Sequence, residues 1–142
     1  MKALKIKSEL VEVEKLRVFL RESLQELNLS EKAYFIIELS LYEICVNIIS
    51  YAYPQQKGDI FLKTWQDRNR LYFEVRDYGL PFDPTQSRTP DIEEMVNNKR
   101  KGGLGIFLVR KLMDGIEYRR ENKQNILIMY KKIREAKEKK SV

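Results

Sequence analysis

Apolar and polar positions along the chain change rhythm several times. Residues 2–7 set Leu4 and Ile6 against Lys5 and Lys7, the period-two pattern of a half-buried strand. After Ser8, a capping residue type, Val13, Leu16, Leu20, Leu24 and Leu27 recur at helical spacing, which predicts a first amphipathic helix broken at Asn28. Ser30 caps a second helix that reaches about Tyr53 and is stopped by Pro54. Two strands follow, over about 59–66 and 70–77, joined by a tight turn at Asp67-Arg68-Asn69. From Tyr78 to Lys101 runs a long connection with three prolines and a short helix near 91–98, the kind of segment that usually serves as a lid. A third helix is expected from about Leu104 to Asp114, with Gly115 as its C-terminal cap. Strands over about 116–121 and 125–132 close the pattern. This order predicts an α+β fold, a two-layer α/β sandwich whose mostly antiparallel sheet is covered on one face by helices.

The 142 residues suit one domain, expected over 1–133, with 134–142 as a charged, disordered tail. No apolar run approaches the roughly 20 residues of a membrane span, and the N-terminus lacks the unbroken apolar stretch of a signal peptide. A lone cysteine, Cys45, leaves no internal disulfide and fits a reducing cytoplasm. Histidine is absent, which excludes a Cys/His zinc site, a Ser-His-Asp triad and a phospho-accepting histidine. Of the net charge of +6, much sits in residues 131–140, where six side chains are positive and two negative. Such a tail can neutralise nucleic-acid phosphates, but a solvated terminus is the commoner reading. Direct nucleic-acid binding is not expected.

Three places depart from simple patterning. On the second helix, Ser40, Glu43, Asn47 and Ser50 form a polar strip among otherwise apolar residues. It faces water as an ordinary helix edge, or else a buried partner or a cavity; Glu43 and Asn47, one turn apart, can point at the same ligand. In the strand ending at Asp77, period two places that carboxylate on the side of Leu71, Phe73 and Val75. Burial there is costly without a hydrogen-bond donor, and an Asp capping its own loop is the simpler alternative. Gly79, two residues on, admits a flat ligand or another backbone. Finally, Gly102-Gly103-Leu104-Gly105 opens the third helix behind Lys99-Arg100-Lys101, a favourable setting for an anion. Glycine turns before helices are common, so alone this signal is weak. Neither a G-x-x-x-x-G-K-[ST] loop nor G-x-G-x-x-G is completed.

In order and at these spacings, the three elements resemble the nucleotide site of the GHKL ATPase/kinase superfamily, and more narrowly the bacterial anti-sigma-factor serine kinases. The matching text is Glu43-Ile44-Cys45-Val46-Asn47 with Tyr51-Ala52-Tyr53, then Asp77-Tyr78-Gly79-Leu80-Pro81-Phe82-Asp83-Pro84, then Gly102-Gly103-Leu104-Gly105-Ile106-Phe107-Leu108-Val109. Tyr51 departs from the histidine that many relatives carry. The resemblance implies the histidine kinase-like ATPase, or Bergerat, fold and an ATP or ADP site with Mg²⁺. By it, Glu43 is the general base, Asn47 the Mg²⁺ ligand and Asp77 the acceptor for the adenine amino group, with Gly79 making room for the ring. Phe82, Lys101, Gly102, Gly103, Leu104 and Gly105 complete the nucleotide contacts, and residues from about Arg88 to Lys101 form the lid. It further implies phosphorylation of a serine or threonine on an anti-sigma-factor antagonist, sequestration of a sigma factor, and a homodimer built on the first helix and N-terminal strand. A partner-switch regulator that binds nucleotide but transfers little phosphate is the alternative.

Overall fold

The computed structural model describes residues 1–86 and 103–133. Strand β1 (Lys2–Lys7) leads through a 3₁₀ turn at Leu10–Val13 into helix α1 (Glu14–Leu24). Leu16, Leu20 and Leu24 of α1 are buried, as is Val13 before it. Asn28 turns the chain at φ 54°, in the left-handed region that Asn tolerates better than most residues. Helix α2 (Glu31–Asn47) then begins with Ser30 Oγ accepting from the Ala33 N–H at 3.1 Å. It continues into a π turn at Ile48–Ala52.

The resulting 22-residue helix is long and apolar enough to pass for a membrane span. Its Ile36, Ile37, Leu41, Ile44, Cys45 and Ile48 are instead buried in the core. That is how a helix apolar around most of its circumference is accommodated at the centre of a sandwich.

Strands β2 (Asp59–Asp67) and β3 (Arg70–Asp77) form a hairpin turned at Arg68, φ 59°. Helix α3 (Gly103–Leu112) precedes a second hairpin of β4 (Gly115–Glu121) and β5 (Gln124–Lys132), turned at Asn122 and Lys123 with φ 51° and 63°. The sheet order is β1-β2-β3-β5-β4, with every neighbouring pair antiparallel. Because β5 lies between β3 and β4, the start of β5 meets the end of β3, and Asn125 stands opposite Asp77. Ile60, Leu62, Leu71, Phe73, Val75, Leu127 and Met129 of the sheet join the buried faces of the helices in one core. The opposite sheet face carries an aromatic row, with Trp65 stacked on Tyr72 at 5.4 Å and Tyr72 against Tyr130 at 5.6 Å.

Three expectations need correction. Ser8 does not cap α1; its buried Oγ accepts the Gly58 N–H at 2.9 Å and ties the end of β1 to the start of β2. Gly115 is not a helix cap but the first residue of β4. The last helical bond runs from the Met113 N–H to Val109 O, and the helix ends there because the Asp114 N–H already bonds Tyr130 O in the sheet. The apolar stripe of α1 is consumed inside the monomer; Val18 of the helix and Leu10 and Val11 of the turn before it remain exposed. The expected short helix near 91–98, the lid and the tail at 134–142 lie outside the described residues, as do Lys101 and Gly102.

Phe73 is fully buried on β3, between β2 and β5. Phe73→Ala is expected to lower the unfolding free energy by about 3–5 kcal/mol, read from urea denaturation midpoints. A loss below about 1 kcal/mol would contradict this placement of the core.

Candidate functional site

At the end of the sandwich where β3 stops, a narrow crevice of about 20 Å³ lies between α2 and the sheet. Ile44, Ile48, Val75 and Leu127 give it apolar walls, and Asn47, Asp77 and Asn125 supply its main polar atoms. Two of the three expected chemistry-bearing side chains, Asn47 and Asp77, therefore meet there.

Asp77 is 2% exposed. Its Oδ1 accepts the Gly79 N–H at 2.9 Å and Asn125 Nδ2 at 2.8 Å. Burial pushes the carboxyl above its usual range, while those two bonds and the charge of Arg120 pull it the other way. Among the described residues, no donor reaches Oδ2. Both readings of the sequence meet in this residue, since Asp77 caps its own loop through Gly79 and also faces the core.

Gly79 is needed for the close approach of another backbone. A Cβ there would lie 2.3 Å from Ala52 O, a contact no side chain can make. The Leu80 N–H bonds the same carbonyl at 2.7 Å, locking the loop to the π turn after α2. Tyr53 adds a second tie, its hydroxyl donating to Asp59 O at 2.9 Å and accepting the Tyr78 N–H at 2.7 Å.

The polar strip on α2 does not share one environment. Ser40 and Asn47 are buried, Glu43 is half-buried and Ser50 is exposed. Ser40 Oγ has no partner among the described residues. Asn47 Nδ2 donates to Glu43 O at 2.8 Å, which leaves Oδ1 as the atom available to a ligand. Burial raises the Glu43 carboxyl. That carboxylate lies against the first turn of α3, where a Cβ on Gly105 would come within 2.0 Å of Oε2. Gly105 is thus the residue that lets α3 pack over Glu43. Gly103 and Leu104 form the start of the same helix. Phe82 lines the crevice, and its ring stacks on Tyr51 with centroids 5.0 Å apart.

Motif spacing does not reveal Asn125, Tyr118 or Arg120, all of which belong to this site. Asn125 Oδ1 accepts from the Phe82 N–H, the Tyr118 hydroxyl and Arg120 Nη1. The signal was available, because Asn125 occupies the core-facing register of Leu127 and Met129 just as Asp77 occupies that of Phe73 and Val75.

An antiparallel sheet with helices on one face and an amide-and-carboxylate crevice beneath its central helix define an α/β sandwich of the ATP-binding GHKL class. The chain belongs to the histidine kinase-like ATPase domain family, whose model matches residues 6–131. A protein named serine-protein kinase RsbW from Bacillus cereus is 30% identical over 96 residues, covering 65% of this chain and 60% of the relative. Serine/threonine-protein kinase BtrW from Bordetella bronchiseptica is 30% identical over 101 residues, covering 70% and 71%. The chain thus spans about 60% of the length of the RsbW proteins it matches. The catalytic domain of histidine kinase ThkA shares the fold at a TM-score of 0.53 and 16% identity, over 93% of this chain and 96% of that one. Histidine kinase AdeS of Acinetobacter baumannii does so at 0.52 and 15%, over 94% and 68%.

The upward shift of Asp77 has a consequence for stability. Its folded-state pKa lies above the unfolded value, so the folded chain holds the proton more tightly. Stability is then highest below the unfolded value of about 3.9 and is lost as pH rises through the folded one. Asp77→Asn keeps an acceptor for Gly79 and Asn125 while removing the charge. It is expected to raise the urea midpoint at pH 7 and to match the wild type in acid. A lower midpoint at pH 7 would contradict the burial account.

Proposed function

We propose that this chain is an ATP-dependent protein serine/threonine kinase that holds Mg²⁺-ATP in the crevice and phosphorylates a small partner, an anti-sigma-factor antagonist. The observation that carries the nucleotide reading is Asp77, a buried carboxylate with one oxygen satisfied internally and the other without a donor among the described residues. An adenine ring offers a flat apolar body for Ile44, Ile48, Val75 and Leu127, and an amino group for that second oxygen. The names of the relatives, serine-protein kinases, support the transfer reading.

Asn47 fits a Mg²⁺ ligand in its chemistry, since its Nδ2 is engaged and an amide oxygen remains, the donor type this cation takes alongside water and phosphate. The bound Mg²⁺-ATP supplies the transferable phosphoryl group and neutralises charge as it leaves. The protein's share is positioning. Phe82 walls the base, and Gly79 keeps Asp77 oriented through its N–H. Backbone N–H groups of Gly103, Leu104 and Gly105 at the start of α3 favour the negative phosphates, and Lys101 and Gly102, which precede the described part of that helix, are the further phosphate contacts of this reading. Residues from about Arg88 to Lys101 act as the lid. Glu43 accepts the proton of the attacking hydroxyl, and its half-burial makes it a stronger base than an exposed carboxylate. One domain over 1–133 does this work, with 134–142 appended. In the partner switch, the unphosphorylated antagonist displaces the sigma factor and phosphorylation releases the antagonist. The working form is a cytoplasmic homodimer.

The test is transfer of the ATP γ-phosphoryl group to a cognate antagonist, followed by phosphate-affinity gel. Glu43→Gln is expected to slow transfer at least about 100-fold while ATP affinity stays within about threefold. Unchanged transfer by Glu43→Gln would remove Glu43 from the chemistry. A wild type that binds ATP and the antagonist yet never transfers phosphate would instead identify a binding-only regulator.

A further inference from the structure

Asn125 lies outside all three motifs, yet it is 5% exposed and both ends of its carboxamide are fully engaged. Nδ2 donates to Asp77 Oδ1 and to Leu80 O, each at 2.8 Å. Oδ1 receives the Phe82 N–H at 3.3 Å, Arg120 Nη1 at 3.1 Å and the Tyr118 hydroxyl. Donors converge on one end and acceptors on the other, so the amide has a single satisfactory orientation. A flipped amide would set its oxygen against the Asp77 carboxylate and its NH₂ against three donors. Arg120 Nη1 also donates to Gly79 O at 2.8 Å. The segment 77–82 is thereby held from β4 and β5 together.

This arrangement controls which oxygen of Asp77 a ligand can use. Oδ1 already accepts from Gly79 and Asn125, so a ligand in the crevice meets Oδ2. A carboxylate tied by one loop N–H alone could rotate to suit its guest. The second bond, from a side chain in a different strand, removes that freedom.

We propose, on the nucleotide-binding reading above, that Asn125, oriented by Tyr118 and Arg120, is a positioning residue for base selection. It holds Asp77 so that Oδ2 accepts from a base carrying an amino group on its hydrogen-bonding edge. A base carrying an oxo group there meets a carboxylate that cannot turn away. Tyr118 and Arg120 act one step further back, by fixing the face that Asn125 presents.

The experiment measures calorimetric affinities for ADP and IDP, which differ by an amino group against an oxo group. The wild type is expected to prefer ADP at least about 30-fold. Asn125→Ala is expected to weaken ADP about 10-fold and to leave IDP within about twofold, so the preference itself collapses. Tyr118→Phe, a milder change at a partly exposed position, shifts the preference the same way by about threefold, and it decides the matter if Asn125→Ala does not fold. Equal weakening of ADP and IDP in both variants would show that Asn125 only supports the loop and would overturn the proposal. A wild type that binds neither nucleotide would overturn the nucleotide reading first, and base selection with it.

Discussion

A carboxylate carried into the interior at the end of a strand has to find donors there. In this chain Asp77 finds one in its own loop, at Gly79, and one across the sheet, at Asn125, 2.8 Å away. An unpaired buried charge would cost several kcal/mol, so these two bonds decide whether the residue can stand in the core register at all. The sheet order makes the second bond possible. Inserting β5 between β3 and β4 brings Asn125 opposite Asp77 and places Tyr118 and Arg120 of β4 next to it. The loop 78–82 inherits its shape from the same contacts, and from Ala52 and Tyr53 at the end of the central helix.

The central helix carries the other half of the site. Much of its apolar surface is buried in the core, although Phe35 and Tyr42 stay exposed, and the polar Ser40 and Asn47 are drawn inward with their neighbours while Glu43 is half-buried. Asn47 meets this by donating to its own helix, at Glu43 O. Glu43 remains half-buried with a raised pKa, because α3 closes over it at a glycine. A Cβ at Gly105 would meet the Glu43 carboxylate and force that side chain out of its present position. The helix that organises the fold thus also bears the two residues proposed as base and cation ligand, Glu43 and Asn47.

Period two and period 3.6 made most of the fold legible. The strands were expected within a residue or two of their bounds, whereas the two long helices match only when the 3₁₀ turns flanking α1 and the π turn after α2 are counted with them. Expectations failed where a local signal had a tertiary competitor. Ser8 has a capping side chain, but Gly58 claims it. Gly115 looked like a helix stop, yet β-pairing captures the chain first. Glu43, Asn47 and Asp77 stood out because polar residues on apolar faces are conspicuous. Asn125 shows the same anomaly on β5, but its partners lie on another strand and in a distant loop, and no spacing along the chain encodes that meeting. Gly79 illustrates a subtler limit, for its sequence context allowed either a ligand or a backbone, and only the fold places Ala52 against it.

On the proposed function, the crevice beneath α2 receives a nucleotide whose base faces Asp77 and whose phosphates carry a cation to Asn47. Calorimetric titration of the wild-type protein with ATP, once with Mg²⁺ and once with EDTA, tests it most directly. Saturable one-to-one binding that weakens when the cation is withheld is the predicted result. Folded protein that releases no binding heat with ATP under either condition, and gains no thermal stability from it, would contradict the claim.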